Sequence, residues 1–335
     1  MEIDPRYMAR ALQLAAAGMG NASPNPMVGA VVVGPDGTIL GEGYHRRCGG
    51  PHAEVNAIAS VRRRELLPQS TVYVTLEPCS HYGKTPPCAK LLIDSNVRRV
   101  VVGAADPFPQ VAGRGVAMLR AAGIEVVEGV MEAECRALNA RFMTAHTLQR
   151  PWVTLKWAQS SDGFLDNDRP NGRPYRFSNP LTTLLTHRLR SLHDAILVGS
   201  GTILADRPRL DCRCWPGHSP LPVVLDRSLR LGSEDFSTTR APIVLRGDSL
   251  ADDLRDLYRR GITSVLVEGG SRILHQFVAD GLWDAARVEI TSIRFGQHGS
   301  AAAPALPGAP VKSVVIEGNR VLFFAQNYPQ CVKNL

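Results

Sequence analysis

Four residues in the first part of the chain have the types and order that metal-assisted hydrolysis needs: His52 and Glu54 in "GPHAEV", Cys79 in "LEPC" and Cys88 in "TPPC". One imidazole and two thiolates make three zinc ligands and leave the fourth tetrahedral position to water. Zinc brings the pKa of such a water to about 7, so hydroxide is available at neutral pH and Glu54 is free to carry its proton. His52 and Glu54 stand at a predicted helix start, so both side chains can point off the N-terminal end, where unpaired N–H groups and the dipole favour an anion. Cys79 follows Pro78 at the carboxyl end of a predicted strand, where open α/β sheets hold ligands, and Cys88 opens the next helix after Pro86 and Pro87. Cys48, His45 or His81 could instead close the shell as a fourth ligand and make the zinc purely structural.

The elements that must position these residues follow from periodicity. A helix over "RYMARALQLAAAGMG" precedes two strands in "GAVVVGPDGTILGEGYH", joined by a turn at Pro35, Asp36 and Gly37. Helices at "HAEVNAIASV", "CAKLLIDSN" and "GRGVAMLRAAG" then alternate with strands at "TVYVTLEP", "RRVVVGAAD" and "IEVVEG". That alternation predicts a mostly parallel sheet covered on both faces, with the opening hairpin as an antiparallel edge. A helix over 133–147 leads to Pro151, where the pattern restarts, so the domain boundary is placed at 147, giving domains 1–147 and 148–335. The second is also α/β, with buried strands at "WVTLKWA", "DAILVGSG", "LPVVLD", "APIVLR", "SVLVEGG" and "ARVEITSI"; residues 296–310, rich in Gly, Ala and Pro, read as a loop.

The totals suit this picture. At 335 residues the chain can bury two cores, and no apolar run reaches the roughly 20 residues of a membrane span. The opening residues are acidic before they are apolar, unlike a secretory signal, which places the protein in the cytoplasm. Seven cysteines are an odd count for a disulfide framework, and clustered cysteines in a reducing compartment bind metal or react. The net charge of +7 suits an anionic partner, but only "VRRRE" is a dense basic run, so a phosphorylated small molecule accounts for the charge as well as RNA does. Cys212 and Cys214, without further ligands nearby, read as incidental.

The order His-x-Glu followed by Pro-Cys-x-x-Cys is a zinc deaminase signature. Here the second cysteine comes after eight intervening residues instead of two. With "NPMVGAVVV", "HAEVNAI", "VTLEPCSHYGKTPPC", "DPFPQVAGRGVAMLRAAGIEV" and "LKWAQSSDG", the chain resembles the bifunctional enzymes of riboflavin biosynthesis, in which a diaminohydroxyphosphoribosylaminopyrimidine deaminase is joined to an aminouracil phosphoribosyl reductase. In that family the longer cysteine spacing is the usual form. The resemblance implies a cytidine-deaminase-like three-layer domain followed by a dihydrofolate-reductase-like domain. It implies His52, Cys79 and Cys88 as zinc ligands, Glu54 as proton shuttle, and Asn25, His45, His81 and Lys84 around the pyrimidine or the ribose phosphate.

The second half lacks a GxGxxG fingerprint, but two strands run into glycine turns, at Gly199–Gly201 and at Gly269–Gly270, where backbone can approach a phosphate. By the resemblance, Ala158, Thr202, Asp206, Gly269, Gly270 and Ser271 face NADPH, and Arg227 meets its 2′-phosphate. Lys156, Arg190, Leu210, Arg213 and Glu268 face the substrate. Two stretches depart from the family pattern: "YRFSNP", where Arg176 stands in for an aromatic over the nicotinamide, and "ITSIRFGQHG" at 290–299. A degenerate reductase site in a chain that only deaminates is therefore one rival reading, and an RNA base deaminase is another; the latter needs a basic stripe and no cofactor domain. The expected partners are phosphoribosylated pyrimidines, without nucleic acid or membrane, and the expected assembly is a homo-oligomer, dimer or larger.

Overall fold

The computed structural model describes residues 3–82, 86–108, 112–170 and 172–326. The chain divides into two compact units, Met1–Leu148 and Gln149–Leu335. Among the described residues no helix is long and apolar enough to cross a membrane.

In the first unit, Asp4 caps α1 (Pro5–Ala16) by accepting the Arg6 N–H, with Pro5 opening the helix. The strands are β1 (Gly29–Val33), β2 (Ile39–Tyr44), β3 (Thr71–Leu76), β4 (Arg99–Ala104) and β5 (Glu125–Glu128), in the order β2-β1-β3-β4-β5. β1 is antiparallel to β2 and β3, while β3, β4 and β5 are parallel. Alternate residues of β1 and β3 serve opposite cores, as the two-residue repeat of a strand requires. Ala30, Val32, Val72 and Val74 pack with α2 (Ala53–Ser60), α3 (Cys88–Asp94) and α4 (Arg114–Ala121). Val31, Val33 and Tyr73 pack with α1, α5 (Glu132–Leu138) and α6 (Ala140–Leu148). The result is a three-layer sandwich with an antiparallel hairpin at one edge.

Glycine sets how closely α2, the helix that carries Glu54, lies on β2. A Cβ on Gly43 would stand 2.3 Å from the Ala57 nitrogen. Gly43→Ala is therefore expected to push α2 off the sheet and destabilise this unit by about 1–3 kcal/mol, the usual cost of overpacking, read as a lower urea midpoint.

Three details differ from the sequence reading. The first helix stops at Ala16 rather than continuing through Gly20, because the chain turns at Gly18 and takes a left-handed conformation at Gly20 (φ +80°). The helix expected over 133–147 is two helices broken at Asn139, whose side-chain amide accepts the Met27 N–H and donates to the Met27 carbonyl, both at 2.8 Å. The third lies in the second unit, in the supposed loop at 296–310.

That unit has an eight-stranded sheet built from β6 (Trp152–Gln159), β8 (Ala195–Gly199), β9 (Leu221–Leu225), β10 (Ile243–Leu245), β11 (Ser264–Gly269), β12 (Ala285–Ile290), β14 (Lys312–Ile316) and β15 (Asn319–Ala325). The order is β10-β9-β8-β11-β6-β12-β15-β14, parallel from β10 to β12, with β15 antiparallel to both β12 and β14. β7 (Phe164–Asn167) pairs with β13 (Gly299–Ala302) in a separate ribbon, so part of 296–310 is strand. Gly299 allows this because a Cβ there would lie 2.4 Å from the Phe164 ring. One face of the large sheet packs α7 (Pro180–Ser191) and α8 (Ser200–Asp206) over Ile196, Val198, Val224 and Leu266. The other packs α9 (Leu250–Arg259) and α10 (Ser271–Ala279) over Leu155, Leu197 and Val265.

Candidate active sites

His52 occupies the cap position of α2, yet its side chain caps nothing. Its Nδ1 lies 3.6 Å from Cys79 Sγ and 3.3 Å from Cys88 Sγ. Cys88 is the first residue of α3, and its backbone N–H donates to Cys79 Sγ at 3.3 Å. Among the described residues these three are the one group of metal-type donors found together, all within 4.8 Å of one another. The neighbouring Cys88 thiol holds Cys79 well below the ordinary thiol range, while Cys79 and burial push Cys88 above it.

Glu54, 3% exposed, lies beside them. Burial, then the charge on Cys79, pushes its carboxyl up to about 7. His45 is buried as well; its Nδ1 meets the Pro51 carbonyl at 3.1 Å and its Nε2 meets the Asn25 side-chain amide at 3.3 Å. Carbonyl oxygen cannot donate, so Nδ1 carries the proton and Nε2 accepts from Asn25. The His45 and His52 rings meet edge to face at 5.5 Å, which puts the Asn25–His45 pair against the three donors. With both ring nitrogens engaged, His45 is not a fourth donor. Cys48 is exposed and His81 is an exposed loop residue, and neither belongs to the group. Lys84 lies outside the described residues.

Glu77, in the same motif as Cys79, is a residue the sequence reading passed over. Its buried carboxylate accepts the backbone N–H groups of Asp106, Gly113, Gly115 and Val116.

In the second unit a cavity of about 1010 Å³ opens beyond the carboxyl ends of β8, β9 and β11 and beside β6. Lys156, Arg190, Arg213 and Glu268 line it. So do Ala158, Thr202, Asp206, Arg227 and the Gly269–Ser271 turn. Leu210 does not: it is buried against Leu189, Ile203 and Val224. Arg190 and Glu268 form a largely buried two-pronged ion pair at 2.7 and 2.6 Å, and Arg190 also donates to the Asp211 carbonyl. Burial works to raise the Glu268 carboxyl, but Arg190 overrides it and brings the group down to about 2. Burial lowers Lys156, partly offset by Glu268, while Arg287, its pairing partner across β12, lowers it further.

Arg169, unremarked in the sequence, joins Asp206 to Asp166 at one wall of the cavity. Asp166 stands three residues before it on β7, but Asp206, at the end of α8, lies 37 positions on, so the link between the two is a tertiary contact that the sequence does not signal. Arg227 is held by the Gly247 carbonyl and Asp253. The two stretches that depart from the family pattern meet here: Tyr175 and Phe177, either side of Arg176, pack their rings against Phe295 at 5.1 and 5.6 Å.

A three-layer sandwich with a His-Cys-Cys donor group beside a buried glutamate, followed by a unit with a large cationic cavity at its strand ends, defines a deaminase joined to a reductase. Residues 1–104 match the cytidine and deoxycytidylate deaminase zinc-binding region, and residues 151–315 match the RibD C-terminal domain. The riboflavin biosynthesis protein RibD of Aquifex aeolicus is 40% identical over 321 residues, covering 88% of this chain and 89% of that one. Its counterpart in Actinobacillus pleuropneumoniae is 37% identical over 309 residues, covering 83% and 81%. Among solved structures, the Thermotoga maritima diaminohydroxyphosphoribosylaminopyrimidine deaminase/5-amino-6-(5-phosphoribosylamino)uracil reductase is 36% identical with a TM-score of 0.80, covering 96% of this chain and 98% of that one. Acinetobacter baumannii RibD is 31% identical with a TM-score of 0.84 and the same coverage. The chain belongs to the RibD family, the bifunctional deaminase–reductases of riboflavin biosynthesis. Its first domain carries the cytidine and deoxycytidylate deaminase zinc-binding region and its second is the RibD C-terminal domain.

Proposed function

We propose that residues 1–147 deaminate 2,5-diamino-6-(5-phosphoribosylamino)pyrimidin-4(3H)-one on a zinc site and that residues 148–335 reduce the product, 5-amino-6-(5-phosphoribosylamino)uracil, with NADPH. Spacing of the donors carries the first half. A tetrahedral zinc with Zn–N near 2.0 Å and Zn–S near 2.3 Å holds adjacent nitrogen and sulfur corners about 3.6 Å apart. His52 Nδ1 stands 3.6 and 3.3 Å from the two sulfurs, and Glu54, buried in the same site, is not one of the three donors.

When bound, zinc supplies Lewis acidity that makes a water acidic enough to lose its proton near neutral pH. Glu54 takes that proton and returns it to the leaving amine, so water adds at the amino-bearing carbon and ammonia departs. Asn25 and His45, locked together, offer fixed polar contacts to the pyrimidine, and the exposed His81 is offered to the ribose phosphate. In the second domain the cavity at the Gly269–Ser271 turn would hold NADPH, which would supply the hydride that reduces ribosyl C1, and the sugar oxygen that leaves C1 then needs a proton. Lys156, buried beside Glu268, is placed to give it. Arg213 offers a cation to the 5-phosphate, while the Gly269–Ser271 turn and the start of α10 present backbone N–H groups to the cofactor's phosphates, with Thr202, Asp206 and Ala158 beside them. Arg227 stands ready for the 2′-phosphate. We place this enzyme in the cytoplasm as a homo-oligomer.

The direct test is metal content with both half-reactions. Purified protein should hold one zinc per chain, release ammonia from the diaminopyrimidine and oxidise NADPH only once that product forms. Cys88→Ser should lose the zinc and lower deamination by more than about 100-fold, since even outer partners of a metal ligand are worth about 10–100-fold. Its turnover of supplied aminouracil should be unchanged. Full deamination by a zinc-free Cys88→Ser protein would overturn the assignment.

A further inference from the structure

We infer that Glu77 is a positioning residue for the deaminase: it aims Cys79 at the metal by locking the strand end to the start of α4. The inference rests on reading His52, Cys79 and Cys88 as zinc ligands.

Ladder hydrogen bonding holds β3 only as far as Leu76. Past that point Cys79 sits on a short free segment, and Pro78 has no N–H with which to anchor it. The Cys88 N–H donates to the sulfur itself at 3.3 Å, and three further contacts hold the segment that carries it. The Glu77 N–H donates to the Ala104 carbonyl at 2.9 Å, and the Cys79 carbonyl accepts from Ala89 at 3.1 Å. The third is the Glu77 side chain. One oxygen accepts from Gly113 at 3.0 Å and from Asp106 at 3.4 Å; the other accepts from Gly115 at 3.0 Å and from Val116 at 3.3 Å. A carboxylate can accept about four such bonds, so this one is fully used, three times by N–H groups at the start of α4 and once by Asp106 just after β4.

α4 in turn touches the segment directly. A Cβ on Gly115 would lie 1.9 Å from the Pro78 carbonyl oxygen, so only a bare backbone fits. Gly113 opens the helix in a left-handed conformation at φ +74°, which glycine adopts without strain. Glutamate and the two glycines therefore form one clamp, and the peptide it grips is the one that leads into Cys79. A second partner that orients a metal ligand is generally worth about 10–100-fold in metal affinity or activity.

Glu77→Gln keeps the shape but turns an amide donor toward N–H donors. The expected result is zinc affinity about 10–100-fold weaker, measured by competition with a chromogenic chelator, together with a lower deamination kcat at saturating zinc and unchanged reduction of supplied aminouracil. Met143→Ala, in the opposite core, is the comparator: it should lower the unfolding midpoint and leave zinc affinity alone. Should Glu77→Gln fail to fold, the wild-type protein still decides the matter, because coupling between clamp and metal is reciprocal. Zinc should then slow hydrogen exchange of the Gly113, Gly115 and Val116 amides relative to amides in α6. Zinc affinity unchanged in Glu77→Gln, a loss no larger than that of Met143→Ala, or exchange indifferent to zinc would each overturn the inference. A wild-type protein that binds no zinc would instead overturn the reading of the ligands.

Discussion

Glu54→Gln stops ammonia release while the protein keeps its zinc and its reductase activity. The expected loss is about 10²–10⁴-fold in kcat, the range general acid–base catalysis contributes. Glutamine has the same shape, so the buried site beside Cys88 stays filled, and none of the three metal donors is touched. What disappears is the ability to take a proton from one atom and deliver it to another. Because an amide costs less to bury than a carboxylate, Glu54→Gln should unfold at the same or a higher temperature than the parent. Loss of activity without loss of stability or metal separates a proton carrier from a structural group. Turnover within about tenfold of the parent would place the proton transfer elsewhere, with His81 the next residue to test.

The difference between what was legible and what was not follows sequence distance. His52, Glu54, Cys79 and Cys88 could be read because each stands at the start of a helix or the end of a strand whose period is plain, and because their types have few other uses together. The hairpin of β1 and β2, the parallel strands after it and the buried strands of the second unit were legible for the same reason: runs of valine, isoleucine and leucine bounded by turn residues. Where an amide or carboxylate reaches a distant backbone, the pattern is silent. Asn139 breaks a helix only because Met27, 112 positions away, needs its amide. Glu77 finds Gly113 and Gly115 across 36 and 38 positions. The β14–β15 hairpin did carry a local signal, Glu317-Gly318 with both φ values positive, the primed turn that joins two-residue hairpins, but its first strand, β14, is largely exposed and weakly patterned. Leu210, carried over by motif, has its side chain in the core cluster with Leu189 and Ile203 and does not line the cavity.

Arg190→Ala should have the largest effect on the second unit, destabilising it by about 3–5 kcal/mol and abolishing reduction. Both side chains of the Arg190–Glu268 pair are nearly buried, so removing the guanidinium leaves a carboxylate in low dielectric without its partner. The sign of the pH dependence gives the same magnitude. Glu268 is depressed from 4.5 to about 2, so its contribution is fully present above pH 4.5 and is lost as pH falls through 2. That depression corresponds to about 3 kcal/mol. The urea midpoint of the parent should therefore fall between pH 4.5 and 2, and Arg190→Ala should lack that part of the fall. Glu268→Gln should be milder, because Arg190 keeps the Asp211 carbonyl and stays paired in part. The double variant should be more stable than Arg190→Ala alone, since no orphaned charge remains; that non-additivity is the mark of a coupled pair. All three should fail to oxidise NADPH on supplied aminouracil, because Glu268 and Lys156 share the cavity floor and neither keeps its surroundings. All three should still release ammonia, since the deaminase donors lie in the other unit. A fully active Arg190→Ala reductase, or a double variant no more stable than Arg190→Ala, would show that the pair serves neither the cavity nor its support.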